Sequence, residues 1–421
     1  MKKPELLMPA GSLEKLKYAF AFGADAVYAG VPYFSLRARE NDFRIEELKE
    51  GLDFAHKYGK KLYLTANIFA RNVKINSFYK HLDEWAELKP DALIMSDPGL
   101  IGIVRERHPQ IPIHLSVQAN CMNYESVRFW EKAGIERVIL SRELKSTEIQ
   151  EIHKRVPNME LESFVHGAIC IAYSGRCLLS HYMSHRDANQ GVCDNSCRYK
   201  YNIYEKSVSQ DKEYYLEDQR EAGQFYRIDE DEHGTYIMNA KDLRLIDHLK
   251  EVVESGVCSL KVEGRTKSTY YVAMVARAYR KAIDDLCAGK EFDANLLSDL
   301  DKVSNRGYHS GFMINGPSQE SQNYSETTRF YTQKFGGLVV DAPSAVPDTV
   351  AIEVRNKIVR GETIELIAPK GNSYFTVGDI YNDKGELLDA VHGGTGTFYF
   401  SMPDKPEPFT LLSQPEVLAN A

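Results

Sequence analysis

The sequence predicts an α/β chain: a (β/α)8 barrel of the TIM type, followed by a small C-terminal antiparallel β-barrel domain. Three observations predict it. Eight short apolar runs alternate with amphipathic helical stretches over roughly the first 290 residues. Each run is apolar through most of its length, as a strand covered on both faces must be. Polar side chains follow these runs, at the strand ends where a barrel carries its chemistry. An open doubly wound sheet would place G-x-G-x-x-G after the first strand, and the turn there reads Pro9-Ala10-Gly11-Ser12 instead.

The strands fall at residues 5–8, 24–29, 61–67, 92–96, 111–117, 137–141, 161–165 and 258–262. Ser12 is placed to cap a helix whose Leu13, Leu16, Ala19 and Phe20 share one face. Asp97 caps the helix after the fourth strand, with Pro98 at the first helical position, where its missing N–H costs nothing. An insertion at about 167–232 follows the seventh strand, then helices over about 241–254 and 268–286. The barrel therefore spans 1–305. Turn-formers from Gly307 to Gly316 and the polar run after them make 306–329 a linker. Beyond it, segments 338–341, 349–356, 363–368, 374–381 and 397–401 alternate at strand period between Gly, Pro, Asp and Asn turns, which predicts the β-domain over 330–421.

With 421 residues, 43% of them hydrophobic and 27% charged, the chain has material for one large core and one small one. A proline and an acid at Pro4 and Glu5 interrupt the place where a signal peptide needs an apolar run, and no stretch approaches the roughly 18 apolar residues of a membrane span. Seven cysteines, odd in number and clustered, disfavour a secreted disulfide scaffold. The expectation is a cytoplasmic protein without a membrane partner. A net charge of −8 opposes nucleic-acid binding unless positive charge is gathered locally. Basic and aromatic residues do interleave at Arg198-Tyr199-Lys200-Tyr201 and from Lys267 to Tyr271. These are either partly buried surface segments or a patch that tracks phosphates and stacks a base.

Four of the cysteines, Cys170, Cys177, Cys193 and Cys197, crowd the insertion with spacing C-x6-C-x15-C-x3-C. Four soft thiolates suit an iron–sulfur cluster or a zinc ion, and the spacing matches neither ferredoxin runs nor zinc ribbons, so the metal stays open. Cys121, expected at the barrel mouth, is the reserve ligand. At the strand ends stand Asn67, Gln118, Arg142 and His166, then Lys261, Glu263 and Arg265. The arginines and Lys261 either hold carboxylates or form an ion-pair network with Glu143 and Glu263. His166 is either a general acid–base or a backbone hydrogen-bonding group. Neither H-E-x-x-H nor G-x-S-x-G occurs, and a thiol protease would have to pair Cys170 with His166.

The stretch Glu162 to Ser180, ESFVHGAICIAYSGRCLLS, resembles the signature of the collagenase-like peptidases, unclassified peptidase family 32. PELLMPAG at the start, GADAVYAG at Gly23–Gly30, HLSVQAN at His114–Asn120 and KVEGR at Lys261–Arg265 are similar to the same family. Within it, the full pattern is most similar to prephenate-dependent tRNA uridine hydroxylases. The resemblance implies hydroxylation of the wobble uridine at carbon 5, prephenate as co-substrate, and a 4Fe-4S cluster on the four cysteines, zinc being the alternative. It implies the tRNA anticodon loop as partner, and a paralogous family subunit as a further one. Under that implication His166, Glu263 and Lys261 are the catalytic candidates, and Arg142, Arg265, Gln118, Asn67 and Arg176 the substrate-binding ones. Arg198, Tyr199, Lys200, Lys267 and Tyr270 (or Tyr271 in its place) are the RNA-binding candidates. A collagenase-like peptidase and a metal-stabilised RNA-binding or assembly factor are the other readings.

Overall fold

The computed structural model describes residues 2–36, 43–170, 172–175, 177, 179–180, 186–198, 201–208, 211–218, 223, 225–228, 240–314, 330–344 and 346–415. Eight parallel strands close a barrel: Glu5–Ala10, Ala26–Gly30, Lys61–Ala66, Ala92–Met95, Ile113–Leu115, Arg137–Ile139, Glu160–Gly167 and Val257–Val262. The last pairs with both the first and the seventh, which shuts the ring. Apolar side chains of the strands and of the surrounding helices form one continuous core, from Leu6 and Val27 through Leu93 and Val138 to Tyr279.

The expected caps are in place. Ser12 Oγ accepts from the Lys15 amide at 3.4 Å. Asp97 Oδ1 accepts from the amides of Gly99 at 2.8 Å and Leu100 at 3.1 Å, while its Oδ2 accepts from Ala70 at 3.0 Å and so joins two loops at the barrel's mouth. In the barrel, two expectations need correction. The fifth strand is only Ile113–Leu115, because Ser116 caps a 3-10 turn at Val117–Ala119. The expected helix at 241–254 begins as a strand, Asp242–Arg244, which pairs antiparallel with the end of the seventh strand. It turns helical only from Ile246, through the 3-10 turn Ile246–His248 into the α-helix Leu249–Glu254.

A bulge in the seventh strand explains both that pairing and the direction of His166. Lys261 pairs with Phe164 but Val262 pairs with His166, so Val165 is an extra residue. Its carbonyl leaves the ladder and accepts instead from the Leu245 amide at 2.9 Å and the Tyr279 hydroxyl at 2.8 Å. His166 acquires the outward direction of Val262.

Inside the barrel, charge replaces hydrocarbon at one level. Glu162 is wholly buried and accepts from Lys261 Nζ at 2.8 Å and Arg137 Nη1 at 3.1 Å. Arg137 reaches Glu5 at 2.6 Å, and Glu5 also accepts from Tyr63 at 2.7 Å and Ser259 at 3.0 Å. Burial alone would raise the Glu162 pKa, but Lys261 and Arg137 pull it below the usual carboxylate range.

The insertion adds a three-stranded antiparallel sheet, Tyr201–Val208, Asp211–Asp218 and Phe225–Ile228. The C-terminal domain is an eight-stranded antiparallel sheet with its own core around Ile352, Ile364, Phe400 and Leu412. Its strand Leu411–Pro415 escaped the sequence pattern, and the run expected at 374–381 divides into Gly371–Thr376 and Ile380–Tyr381. This domain is tied to the barrel by Tyr270, whose ring stacks on Phe335 with centroids 5.5 Å apart and whose hydroxyl meets Ser413 at 3.1 Å.

Removing Glu162 strands the buried ammonium of Lys261 and takes from Arg137 one of its carboxylates, Glu5 and Glu160 remaining. Glu162→Ala is expected to cost about 3–5 kcal/mol in stability, read by urea unfolding followed by circular dichroism. A loss under about 1 kcal/mol, the range of an exposed ion pair, would show that the network is wet and expendable.

Candidate functional site

The C-terminal ends of the barrel strands surround a cavity with three cations in its wall, Arg142, Lys261 and Arg265. Each is positioned differently. Lys261 is buried, fixed by Glu162, with Nζ 4.4 Å from the centre of the Tyr28 ring. Burial lowers its pKa, and the Glu162 carboxylate opposes that. Arg265 is pinned by hydrogen bonds to Ser35 Oγ and the Leu36 carbonyl, both 2.6 Å. Arg142 has its guanidinium carbon over the Phe164 ring, 3.7 Å from the ring centre, and has no carboxylate partner among the described residues. The alternative of bracing by Glu143 does not hold among the described residues, because Glu143 turns to the insertion, accepting from the Ser174 amide at 2.9 Å and its hydroxyl at 3.3 Å.

Asn67 and Gln118 also line the cavity. Asn67 donates to Ser116 Oγ at 3.2 Å and accepts from the Leu36 amide at 3.1 Å. Gln118 donates to Asn189 at 2.9 Å, and Asn189 donates in turn to the Cys177 carbonyl at 3.3 Å. Glu263 accepts from the Tyr28 hydroxyl at 3.4 Å. The three side chains thus stand where the sequence put them, and Gln118 links the barrel to the cysteine loop.

The cavity continues into a cleft of about 530 Å³ walled by Cys170, Cys177, Cys193 and Cys197. Two glycines let the insertion lie this close. Gly167 has φ +102°, and a Cβ there would strike the Glu263 carbonyl. Gly175 has φ +76°, and a Cβ there would strike the Gln118 carbonyl. Among the described residues no three His, Cys, Asp or Glu side chains are grouped tightly enough to hold a metal ion. Four thiols on one cleft are nonetheless the donor set that a cluster or zinc requires, and the Asn195 amide already donates to Cys193 Sγ at 3.4 Å.

Two family models match nearly the whole chain: peptidase family U32 over residues 11–323 and the U32 C-terminal domain over 331–412. The chain belongs to peptidase family U32. Its similar relatives include a protein of Escherichia coli K12 named tRNA hydroxylation protein P, 47% identical over 97% of this chain and 95% of that one. The Bacillus subtilis tRNA hydroxylation protein P1 is 38% identical over 98% and 94%. A Porphyromonas gingivalis protein named collagenase is 31% identical over 74% and 73%.

Several candidates of this U32 chain lie away from the cavity. His166 is buried in the helix layer among Tyr271, Tyr279 and Tyr308, with ring centroids 5.9, 5.4 and 5.4 Å away. Its Nε2 has no hydrogen-bond partner among the described residues. It is neither the cavity's acid–base nor a partner for Cys170. Tyr270 is buried in the contact with the C-terminal domain, and Tyr271 donates to the Glu263 carbonyl at 2.9 Å, so neither ring can stack a base. Lys267 is half-buried, donating to the Ser304 carbonyl at 3.0 Å, with its ammonium 5.2 Å from the Tyr271 ring; it is not a solvent-facing phosphate contact. Cys121 sits in the core, its thiol pushed up to about 12 by burial, and does not border the cleft. Arg176, Tyr199 and Lys200 lie outside the described residues, as does the side chain of Arg198. Glu162, Tyr28 and Phe164 were not singled out in the sequence. A glutamate inside the apolar run LESFV was the one available signal.

Burial holds His114 and His166 neutral, each with its pKa lowered to about 3. An unfolded histidine titrates near 6.5, so acid protonates the unfolded chain first. The stability present above about pH 6.5 is lost as pH falls toward 3, at up to about 1.4 kcal/mol per pH unit for each histidine. In urea unfolding between pH 7.5 and 5, His166→Phe should show a shallower decline than the parent protein. Equal slopes would mean that His166 is protonated in the native state.

Proposed function

We propose that this U32 chain is a tRNA hydroxylase acting at carbon 5 of the wobble uridine, with prephenate as co-substrate and a 4Fe-4S cluster on Cys170, Cys177, Cys193 and Cys197. The observation that carries the reading is near full-length identity of 47% to a protein named tRNA hydroxylation protein P. No helix among the described residues is long and apolar enough to cross a membrane.

The cavity's chemistry suits an anionic co-substrate. Arg142 can offer two parallel N–H groups to a carboxylate, since no carboxylate of the described residues takes them. Lys261, held at the floor by Glu162, adds a second fixed cation. A dicarboxylate such as prephenate would meet both. Phe164 and Tyr28 supply apolar wall beside these charges, keep water off them, and so strengthen the attraction. A 4Fe-4S cluster bound at the adjoining cleft would supply one-electron redox chemistry. Glu263, half-buried and hydrogen-bonded to Tyr28, is the acid–base group facing the same space.

The collagenase-like reading requires a nucleophile beside a base. His166, the histidine nearest Cys170 in sequence, faces the helix layer instead.

Nucleosides from tRNA of a strain lacking this gene should, by mass spectrometry, lack carbon-5-hydroxylated wobble uridine derivatives. The wild-type gene should restore them. Arg142→Ala should lower restoration by about ten- to a hundredfold, the loss of a charge-assisted contact worth roughly 1.5–3 kcal/mol. Protein purified without oxygen should be brown and contain iron, and alanine at any one of the four cysteines should bleach it. A colourless, zinc-loaded and fully active preparation would overturn the cluster assignment. Unchanged nucleosides in the deletion strain, with cleavage of collagen peptides by the pure protein, would favour the peptidase.

A further inference from the structure

Among the described residues, exposed aromatic side chains at the C-terminal end of the barrel strands are few, because most rings there are packed. Tyr33 and Tyr173 stand out, at 68% and 58% exposure. Tyr33 is already occupied: its ring stacks on His81, with centroids 5.7 Å apart and planes 29° apart. Tyr173 is different. It borders the cysteine cleft together with Cys170, Cys177 and Lys145, and no ring of the described residues packs on it.

The turn that carries Tyr173 is fixed. On its C-terminal side, Ser174 donates both its amide and its hydroxyl to Glu143. Gly175 then presses its backbone on the Gln118 carbonyl in a left-handed conformation open to glycine and costly for other residues. Three residues before it, Cys170 lines both the cleft and the deeper cavity. An apolar ring displayed on a rigid turn is in its binding position before the ligand arrives, so little ordering cost remains for association.

We propose that Tyr173 is the platform on which the target base of the RNA stacks as it enters the cleft. The inference rests on reading the chain as a tRNA hydroxylase. It replaces the stacking role that burial denies to Tyr270 and Tyr271. Unstacked bases of single-stranded loops are held on aromatic faces in this way, and every base has such a face to offer. Lys145, exposed on the same cleft, is positioned for a neighbouring phosphate and makes an internal comparison.

The test is binding of an anticodon stem-loop RNA to the full-length protein across a salt series. Tyr173→Ala should weaken binding by about five- to a hundredfold, the loss of one base–aromatic stack. Its salt slope should match wild type, because stacking releases no counterions. Lys145→Ala should reduce the slope instead. Tyr173→Trp should bind as well as wild type, with an added fluorescence, above that of the two native tryptophans, that the RNA quenches. Iron content and circular dichroism equal to wild type in each variant would exclude a folding effect. Wild-type affinity in Tyr173→Ala, or an unquenched Tyr173→Trp, overturns the platform. If the wild-type protein itself neither binds nor modifies tRNA, the hydroxylase reading falls instead, and the two failures are told apart by that one control.

Discussion

Glu162 is the constraint on which the inside of this barrel depends. Its strand is apolar on either side, and its carboxylate has no water to turn to, so it must be met by cations or be neutral. Lys261 and Arg137 meet it from the eighth and sixth strands, and Glu5 of the first strand meets Arg137 in turn. Four strands are thereby cross-linked through their inward side chains. The arrangement also decides the cavity floor. Lys261 cannot swing away without giving up its buried ion pair with Glu162, so the ammonium above Tyr28 is a fixed part of the wall and not a mobile one.

Much of this was legible in the sequence, for identifiable reasons. Strands covered on both faces leave apolar runs, and the caps Ser12 and Asp97 leave the hydroxyl and carboxylate that their helices require. Asn67, Gln118, Arg142, Lys261, Glu263 and Arg265 follow or end such runs and do line the cavity. His166 obeyed the same pattern and was misplaced by one inserted residue. The bulge at Val165 is invisible in composition, yet it exchanges the two faces of the strand beyond it. Tyr270 and Tyr271 misled for another reason. Basic and aromatic neighbours resemble a nucleic-acid patch, but in the helix Thr269–Cys287 they are the buried stripe of an element covered on several sides. The strand Leu411–Pro415 gave no alternating signal, because almost all of it is buried.

The site divides its labour between two parts of the chain. Barrel strands contribute rigid cations, each anchored by a different device: an ion pair for Lys261, hydrogen bonds for Arg265, an aromatic face for Arg142. The insertion contributes the thiols and is moored to the barrel through Gln118–Asn189 and Glu143–Ser174. A family with such a division can retain the barrel and vary what the insertion carries. That is one physical route by which proteins named as hydroxylases and as a collagenase come to share it.

The strand order of the C-terminal sheet has a consequence for how the chain is made. Leu411–Pro415, late in the sequence, lies between Gln333–Val339 and Thr363–Ala368 and pairs with both. Until that segment leaves the ribosome, the two earlier parts of the sheet have no common neighbour, and Ser413 cannot reach the Tyr270 hydroxyl. The barrel, by contrast, has every one of its strands by Val262. Synthesis therefore delivers a closed barrel well before its companion domain can lock onto it. In that interval the side of Tyr270 that Ser413 will cover is open to chaperones and proteases.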